Sequence, residues 1–307
     1  MPAILGGYPT KNFDLPLSVI FICIFISLAA TNITLFLRNK KRGIIFSLNG
    51  LSVSFCVSRI ATFSLRTAWS TNILNKDLMM VAQILASAGV MVLYIVNLNL
   101  SKRFWDSRQP SIATSKPVKY AFIAFYVSVV IVLALLIKGV VMTFTGGNVT
   151  SMDTTMMKIG PIWFAVFSFL PLPIMLGSAL RPAHADATPL GTAADRSGMW
   201  EKVAVVVGAA VVLTLGSSVR AGANFLPKRM NSDPAWYHGK GTFYVFLPVV
   251  EIAAMLMFLV GRMDKKFHIP IEEEKKVGDE EEGSIMEEKK GFSVSTTSLG
   301  TASTVSR

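Results

Sequence analysis

Residues 16–42 read PLSVIFICIFISLAATNITLFLRNKKR. Positions 16–37 carry no charge, and Arg38, Lys40, Lys41 and Arg42 follow at once. At ~1.5 Å rise per residue, such a run is long enough to cross the ~30 Å hydrocarbon core of a bilayer as a helix. A cleaved signal peptide would put its basic residues before a shorter apolar run. Here residues 1–15 lack a basic leader and the charges come after, so the run reads as a span kept in the mature protein.

The same pattern recurs along the chain. Apolar spans are predicted at 16–37, 44–65, 78–100, 118–144, 157–180, 201–222 and 242–261. Of the 307 residues, 52% are hydrophobic, and they come in blocks rather than at the spacing of a soluble core. The expected fold class is an all-α membrane protein, a seven-transmembrane-helix bundle over 16–261, with a short extracellular N-terminus at 1–15. Cys23 and Cys56 both fall inside spans, so no extracellular disulfide framework exists, and both are read as small buried packing residues.

Lys and Arg alternate between the loops. Arg38, Lys40, Lys41, Arg42, Lys102, Arg103, Arg108, Lys116, Lys119, Arg181, Arg196, Lys202, Arg262, Lys265 and Lys266 fall on one side. Lys11, Arg66, Lys76, Lys158, Lys228, Arg229 and Lys240 fall on the other. The richer side is expected to be cytoplasmic, which places the N-terminus outside and the C-terminus in the cytoplasm. Because the cations sit at span ends, the net charge of +11 points to membrane orientation rather than to nucleic acid. The acceptor triplet Asn148-Val149-Thr150 lies in a loop this topology puts outside, so Asn148 is the candidate glycosylation site. Asn32-Ile33-Thr34 lies within a span and should stay bare.

Residues 262–307 differ in kind. Acidic runs such as Glu272–Glu274 and Asp279–Glu282 precede a Ser/Thr-rich end from Ser293 to Ser306. With few apolar residues to bury, this segment is expected to be a disordered cytoplasmic tail.

Charges inside a bilayer are costly, so they are the first candidates for function. Arg59 lies within the second span with Arg66 at its outer end, Lys138 is in the fourth, Arg220 ends the sixth, and Glu251 is in the seventh. Helix rise puts Arg59 roughly 22 Å above its inner helix end and Glu251 near mid-membrane, so the two come within reach in depth. Arg59 and Arg66 are seven apart and share a helix face. The expectation is a polar cluster in the outer half of the bundle. Arg59 pairs with Glu251, Arg66 and Arg220 lie above, and Gln83 and Asn224 are hydrogen-bonding neighbours. Such a cluster either fixes helix packing as an interhelical ion pair or lines an outward-facing pocket for an anionic or zwitterionic headgroup. Lys138 and Arg66 are expected to snorkel to the outer headgroups. Asn97 and Asn99, at the inner end of the third span, are expected to bond across to a neighbouring helix. Prolines at 161, 171, 173 and 248 mark candidate bends, the last beside Glu251.

Several classes are disfavoured. His184, His238 and His268 lie apart with no metal-ligand spacing, and no phosphate loop, nucleophile elbow or zinc-protease motif occurs. No catalytic set, metal or cofactor is therefore expected, and Glu251 alone is thin support for an enzyme. The seventh span holds no lysine for a retinal Schiff base.

Several stretches resemble a family of fungal seven-span membrane proteins of unassigned function, some labelled receptor-like. They are Gly6-Gly7-Tyr8-Pro9-Thr10, Phe55-Cys56-Val57-Ser58-Arg59 with Arg66 and Trp69, Ala88-Gly89, Asn97-Leu98, Asp233-Pro234-Ala235-Trp236-Tyr237-His238, Phe243-Tyr244-Val245-Phe246, and Arg262 through Pro270. The segment from Arg220 to Glu251 is also distantly similar to the fungal lipid-translocating exporter family, which implies export of long-chain bases. That family has a second charged pair near the end of the sixth span, where this chain has Ala221, Gly222 and Asn224. The end of the third span lacks the acidic-Arg-aromatic triplet of G-protein-coupled receptors, and the seventh span lacks Asn-Pro-x-x-Tyr.

The expected protein is a non-enzymatic, multi-pass protein of the plasma membrane or an endomembrane. The first reading is a receptor-like sensor, coupling an outside ligand to an effector at the basic loops and tail. The alternative is a translocator of lipids or amphiphiles, and the third reading is a structural or assembly protein. The partners implied are the lipid bilayer, a lipid or small amphiphile ligand, and a cytoplasmic effector.

Overall fold

The computed structural model describes residues 5–42, 46–145, 150–185, 187–188, 190–191, 198–226, 233 and 235–268, less the side chains of 143 and 144. Asn148 and the tail from 269 lie outside the described residues. Among those residues the chain forms helices and no strand. In order they are α1 (Lys11–Lys41), α2 (Leu48–Thr71), α3 (Lys76–Arg108), α4 (Pro110–Ala113), α5 (Lys116–Thr145), α6 (Ser151–Phe169), α7 (Pro171–Leu180), α8 (Met199–Phe225), α9 (Lys240–Tyr244), α10 (Val250–Val260) and α11 (Met263–Lys266). A 3₁₀ turn at Trp236–His238 precedes α9, and a π-helical turn at Val245–Val249 joins α9 to α10. Seven of the resulting spans are long and apolar enough to cross a membrane, α6 with α7 forming the fifth and Lys240–Val260 the seventh.

The helices run past the apolar cores because their ends are capped. Asn75 starts α3 by accepting from the N–H groups of Asp77 and Leu78. Thr150 and Asp153 form a reciprocal capping box at the head of α6. Arg38, Lys40 and Lys41 occupy the last turn of α1, where the helix dipole favours cations. α1 begins at Lys11, and this brings Asp14 into the first span, which was read as charge-free.

Two spans are interrupted where proline removes backbone donors. Pro171 separates α6 from α7. In the seventh span Pro248 sits inside the π turn, three residues before Glu251. The predicted bend there is thus a local widening of the helix.

α1 packs on α2, α2 on α3, α6 on α8 and α8 on α10, which closes a bundle around an aromatic centre. Phe21 stacks on Phe63 at 5.2 Å and on Tyr244 at 5.7 Å, and Phe25 meets Phe55 at 5.8 Å. Two glycines permit close crossings. A Cβ at Gly89 would lie 2.3 Å from Ser58 Oγ, and one at Gly216 would lie 2.7 Å from the carbonyl oxygen of Phe246 in the π turn.

Three expectations change. Cys56 is buried, but Cys23 is on the exposed face of the bundle. Asn99 donates to Ile95 O of its own helix, and the buried amide of Asn97 has no partner among the described residues, so neither bonds across. Residues 262–268 belong to the bundle rather than to a tail. Arg262 turns the chain in the left-handed region (φ 49°), Met263 and Phe267 are buried, and Asp264 accepts from Asn39 Nδ2 at 2.7 Å.

The close crossings make a direct prediction. Gly89→Val or Gly216→Val forces overpacking and should cost about 1–3 kcal/mol. Gly50→Ala, which meets nothing within 4 Å, should cost nothing. Thermal unfolding of the purified protein in detergent measures both, and equal melting temperatures for all three variants would refute the packing account.

Candidate functional site

Glu251 lies midway along the seventh span, one residue into α10, and Arg59 lies midway along α2. Their side chains meet in the bundle interior, 2% and 3% exposed. Arg59 Nη2 donates to Glu251 Oε1 at 2.6 Å, and Arg59 Nε is 2.6 Å from Oε2. The ion pair is therefore close, with one aligned hydrogen bond through Nη2, while the buried Arg59 Nε lies beside Oε2 without forming one. Arg220 of α8 reaches the same Oε1 through Nη2 at 2.8 Å. Both arginines also donate to one backbone oxygen, Ala86 O of α3, Arg59 through Nη1 at 3.1 Å and Arg220 through Nη1 at 3.0 Å. Tyr94 of α3 lies within the electrostatic reach of all three charges.

Four spans thus converge on one carboxylate. Two guanidiniums share it, so the cluster holds one positive charge more than negative charges. Arg220 Nε is buried without a hydrogen-bond partner among the described residues. The small residues Ala86 and Gly89 let α3 approach α2 at this level, and Gly216 lets α8 approach the seventh span beside it.

The pairing of Arg59 with Glu251 is present in the structure, and Arg220 joins at the same carboxylate oxygen rather than above it. Arg66, Gln83 and Asn224 are placed differently. Asn224 donates to Arg220 O within its own helix, and among the described residues the Gln83 side chain makes no hydrogen bond to the cluster. Arg66 does not snorkel. It is buried, with Nη2 2.7 Å from Asp14 Oδ1.

Arg66 belongs to a second cluster nearer the end that carries the N-terminus. Asp14 is fully buried there. Its carboxylate takes Arg66, the Tyr244 hydroxyl at 2.8 Å and Lys240 Nζ, and it accepts from the Thr10 N–H at 2.8 Å. Arg66 also donates to Gly6 O at 3.0 Å and lies 4.2 Å from the centre of the Phe243 ring. This cluster fastens the N-terminal segment across α2 and the head of the seventh span. Sequence reasoning missed Asp14, Lys240 and Tyr244. A signal was present: Tyr244 precedes Glu251 by seven residues, the same spacing that separates Arg59 from Arg66. Lys138, half exposed, extends toward the head of α6, where its ammonium pairs with Asp153 Oδ1 at 3.0 Å.

Two cavities lie at the surface. One, about 740 Å³, is lined by Thr10, Lys11 and residues 70–75, and the other, about 280 Å³, lies at the opposite end. Neither is lined by Arg59, Arg220 or Glu251; within the cluster Arg59 and Glu251 are buried, and the Arg220 side chain is 14% exposed.

A family described as a protein of unknown function, DUF3112, matches residues 195–268. That stretch contains α8, the seventh span and α11, hence Arg220, Lys240 and Glu251, but not Arg59. No curated protein and no solved structure matches the chain. The chain is a multi-pass integral membrane protein with a seven-span helical bundle, similar over its last two spans to a family of unassigned function.

The shared carboxylate sets an order of mutational effects. Glu251→Gln leaves two buried guanidiniums facing each other and should lose about 3–5 kcal/mol of stability. Adding Arg59→Gln and then Arg220→Gln should restore stability in two steps, the signature of a coupled network. Chemical unfolding of the single, double and triple variants reads this directly. Additive losses would show that the three side chains act independently.

Proposed function

We propose that this protein is a non-enzymatic, receptor-like sensor of the plasma membrane or an endomembrane. Its ligand is an amphiphile with an anionic or zwitterionic headgroup, bound at the Arg59–Arg220–Glu251 cluster. The observation that carries this reading is the surplus positive charge within the spans. A buried cation without a counter-charge is expensive in hydrocarbon, and such groups mark ligand or ion sites. A phosphate or carboxylate would neutralise the surplus and give Arg220 Nε an acceptor. An amine on the same headgroup would find Glu251. The π turn beside Glu251 supplies a place where the seventh span can change length, since such turns occur often at functional sites. The asymmetry of Lys and Arg between the loops supports an N-terminus outside and a basic cytoplasmic face for an effector.

A second reading is a translocator of the same amphiphiles. The burial of Arg59 and Glu251 favours it. The Asp14–Arg66–Lys240–Tyr244 cluster lies toward one end of the bundle, and residues 262–268 pack at the other. A carrier needs an occluded form, and the distant likeness of Arg220–Glu251 to lipid-translocating exporters agrees with it.

Binding and flux separate the readings. A long-chain base phosphate, carrying both an amine and a phosphate, should raise the melting temperature of the purified protein. The shift should vanish in Arg220→Gln, while an uncharged alkyl glucoside gives none in either form. An unchanged shift in Arg220→Gln, or none with wild type, would sink the site assignment. In proteoliposomes, transbilayer movement of a fluorescent long-chain base that depends on Glu251 would establish the translocator, whereas binding without movement would establish the sensor.

A further inference from the structure

Buried polar atoms with nothing to bond are rare in folded proteins, and three asparagines here hold four of them. Asn32 of α1, Asn49 of α2 and Asn97 of α3 are each at most 1% exposed. Asn32 Nδ2 donates to Leu28 O at 2.9 Å, which fixes the amide and leaves Oδ1 without a donor among the described residues. Asn49 Nδ2 has no acceptor there, and Asn97 has no partner at either Nδ2 or Oδ1.

The three amides lie at one depth. Phe25 of α1 meets Phe55 of α2 at 5.8 Å and Phe63 at 6.0 Å, which sets the register of these two helices. Seven residues inward from Phe25 is Asn32, and seven inward from Phe55 is Leu48, next to Asn49. Asn49 also lies two heptads from Phe63, so both asparagines continue the helix faces that meet at these rings. On the α3 side, a Cβ at Gly89 would touch Ser58 of α2. Asn97 is eight residues inward from Gly89, and Asn49 is nine inward from Ser58. This level is ten residues along α2 from Arg59, roughly 15 Å inward of the Glu251 cluster.

The unmet atoms are of both kinds. A metal cation needs oxygen ligands and would meet the N–H groups of Asn49 and Asn97. An anion would meet Asn32 Oδ1. Whichever way the Asn97 amide is turned, it offers both donors and an acceptor. Asn32 Oδ1 and Asn49 Nδ2 are complementary and sit on helices that pack together, yet they do not bond to each other. Seven residues further along α1, Asn39 does find its partner within the protein, donating to Asp264 Oδ2 at 2.7 Å. Water donates and accepts at once, so a single molecule can complete both members of such a pair.

We propose that this level is an internal water site. Water bridges Asn32 Oδ1 to Asn49 Nδ2, and further water completes both ends of the Asn97 amide. The bundle interior then has two polar layers, a charged one at Glu251 and a hydrated neutral one on its inner side. The hydrated layer is separate from the Glu251 cluster and does not depend on what that cluster binds.

The test is radiolytic footprinting of the full chain in lipid nanodiscs. X-ray pulses turn bound water into hydroxyl radicals that mark adjacent side chains, and mass spectrometry locates the marks. In wild type the buried Leu28, Leu48, Leu93 and Leu98, next to the three amides in sequence or one helical turn away, should be marked, whereas the equally buried Phe167 should not. After brief mixing with isotopically heavy water, the marks should still carry ordinary oxygen, because internal water exchanges slowly. Asn97→Leu should abolish the marks at Leu93 and Leu98, and Asn49→Leu those at Leu28 and Leu48. Asn99→Leu, whose amide bonds within its own helix, should leave all four in place. Unmarked leucines in wild type would show a dry layer in which the amides turn to meet one another, and would overturn the proposal without recourse to any variant. Marks that persist unchanged in well-folded Asn97→Leu and Asn49→Leu would overturn it as well.

Discussion

Glu251 must be neutralised where water is absent, and much of the bundle's geometry answers to that need. An ionised carboxylate in hydrocarbon is tolerated only when paired and hydrogen-bonded. Arg59 does this as a close ion pair with one hydrogen bond, and Arg220 adds a second guanidinium. Each guanidinium then needs acceptors of its own, and Ala86 O serves both. One carbonyl of α3 thus meets side chains from α2 and α8. Gly89 permits the approach of α3 to α2 and Gly216 the approach of α8 to the seventh span. The π turn ahead of Glu251 follows from Pro248, which has no N–H to give to the preceding turn.

The same arrangement is repeated nearer the N-terminus with different residues. Asp14 takes the place of Glu251, Arg66 that of Arg59, and Lys240 that of Arg220. Both clusters hold two cations on one carboxylate, and α2 supplies an arginine to each. The upper cluster is closer to water, since Lys240 remains a quarter exposed, so its surplus charge is cheaper than that of the lower one. Its role follows from what it connects: the N-terminal segment, α1, α2 and the head of the seventh span cannot separate without leaving Asp14 unpaired.

The seven spans were legible because a bilayer demands uncharged runs of a set length, and few other folds produce them. The Arg59–Glu251 contact was legible from depth alone, since helix rise is nearly constant. Arg220 was placed at the right helix but the wrong level, because its long side chain reaches down to Glu251 from near the end of α8. Asp14 was lost because it precedes the apolar run, and nothing in hydropathy says that α1 starts at Lys11. Cys23 shows a deeper limit. In α1 the faces toward lipid and toward protein are equally apolar, so composition cannot tell which side is buried. The short segment 262–268 was lost for the opposite reason, its two apolar anchors, Met263 and Phe267, being hidden among charges.

A shared carboxylate also couples helix movement to charge. If α8 withdrew from α2, Glu251 could follow only one arginine, and the other would be left with the Ala86 carbonyl as its acceptor. In hydrocarbon that state is costly by several kcal/mol, which favours the paired arrangement. An anion entering between the arginines would remove that cost and favour the separated state by the difference in its affinity for the two forms. On the proposed reading, the surplus charge would make opening conditional on a ligand of negative charge. Both the sensor and the translocator need that condition, and they differ only in whether the anion leaves by the side from which it came.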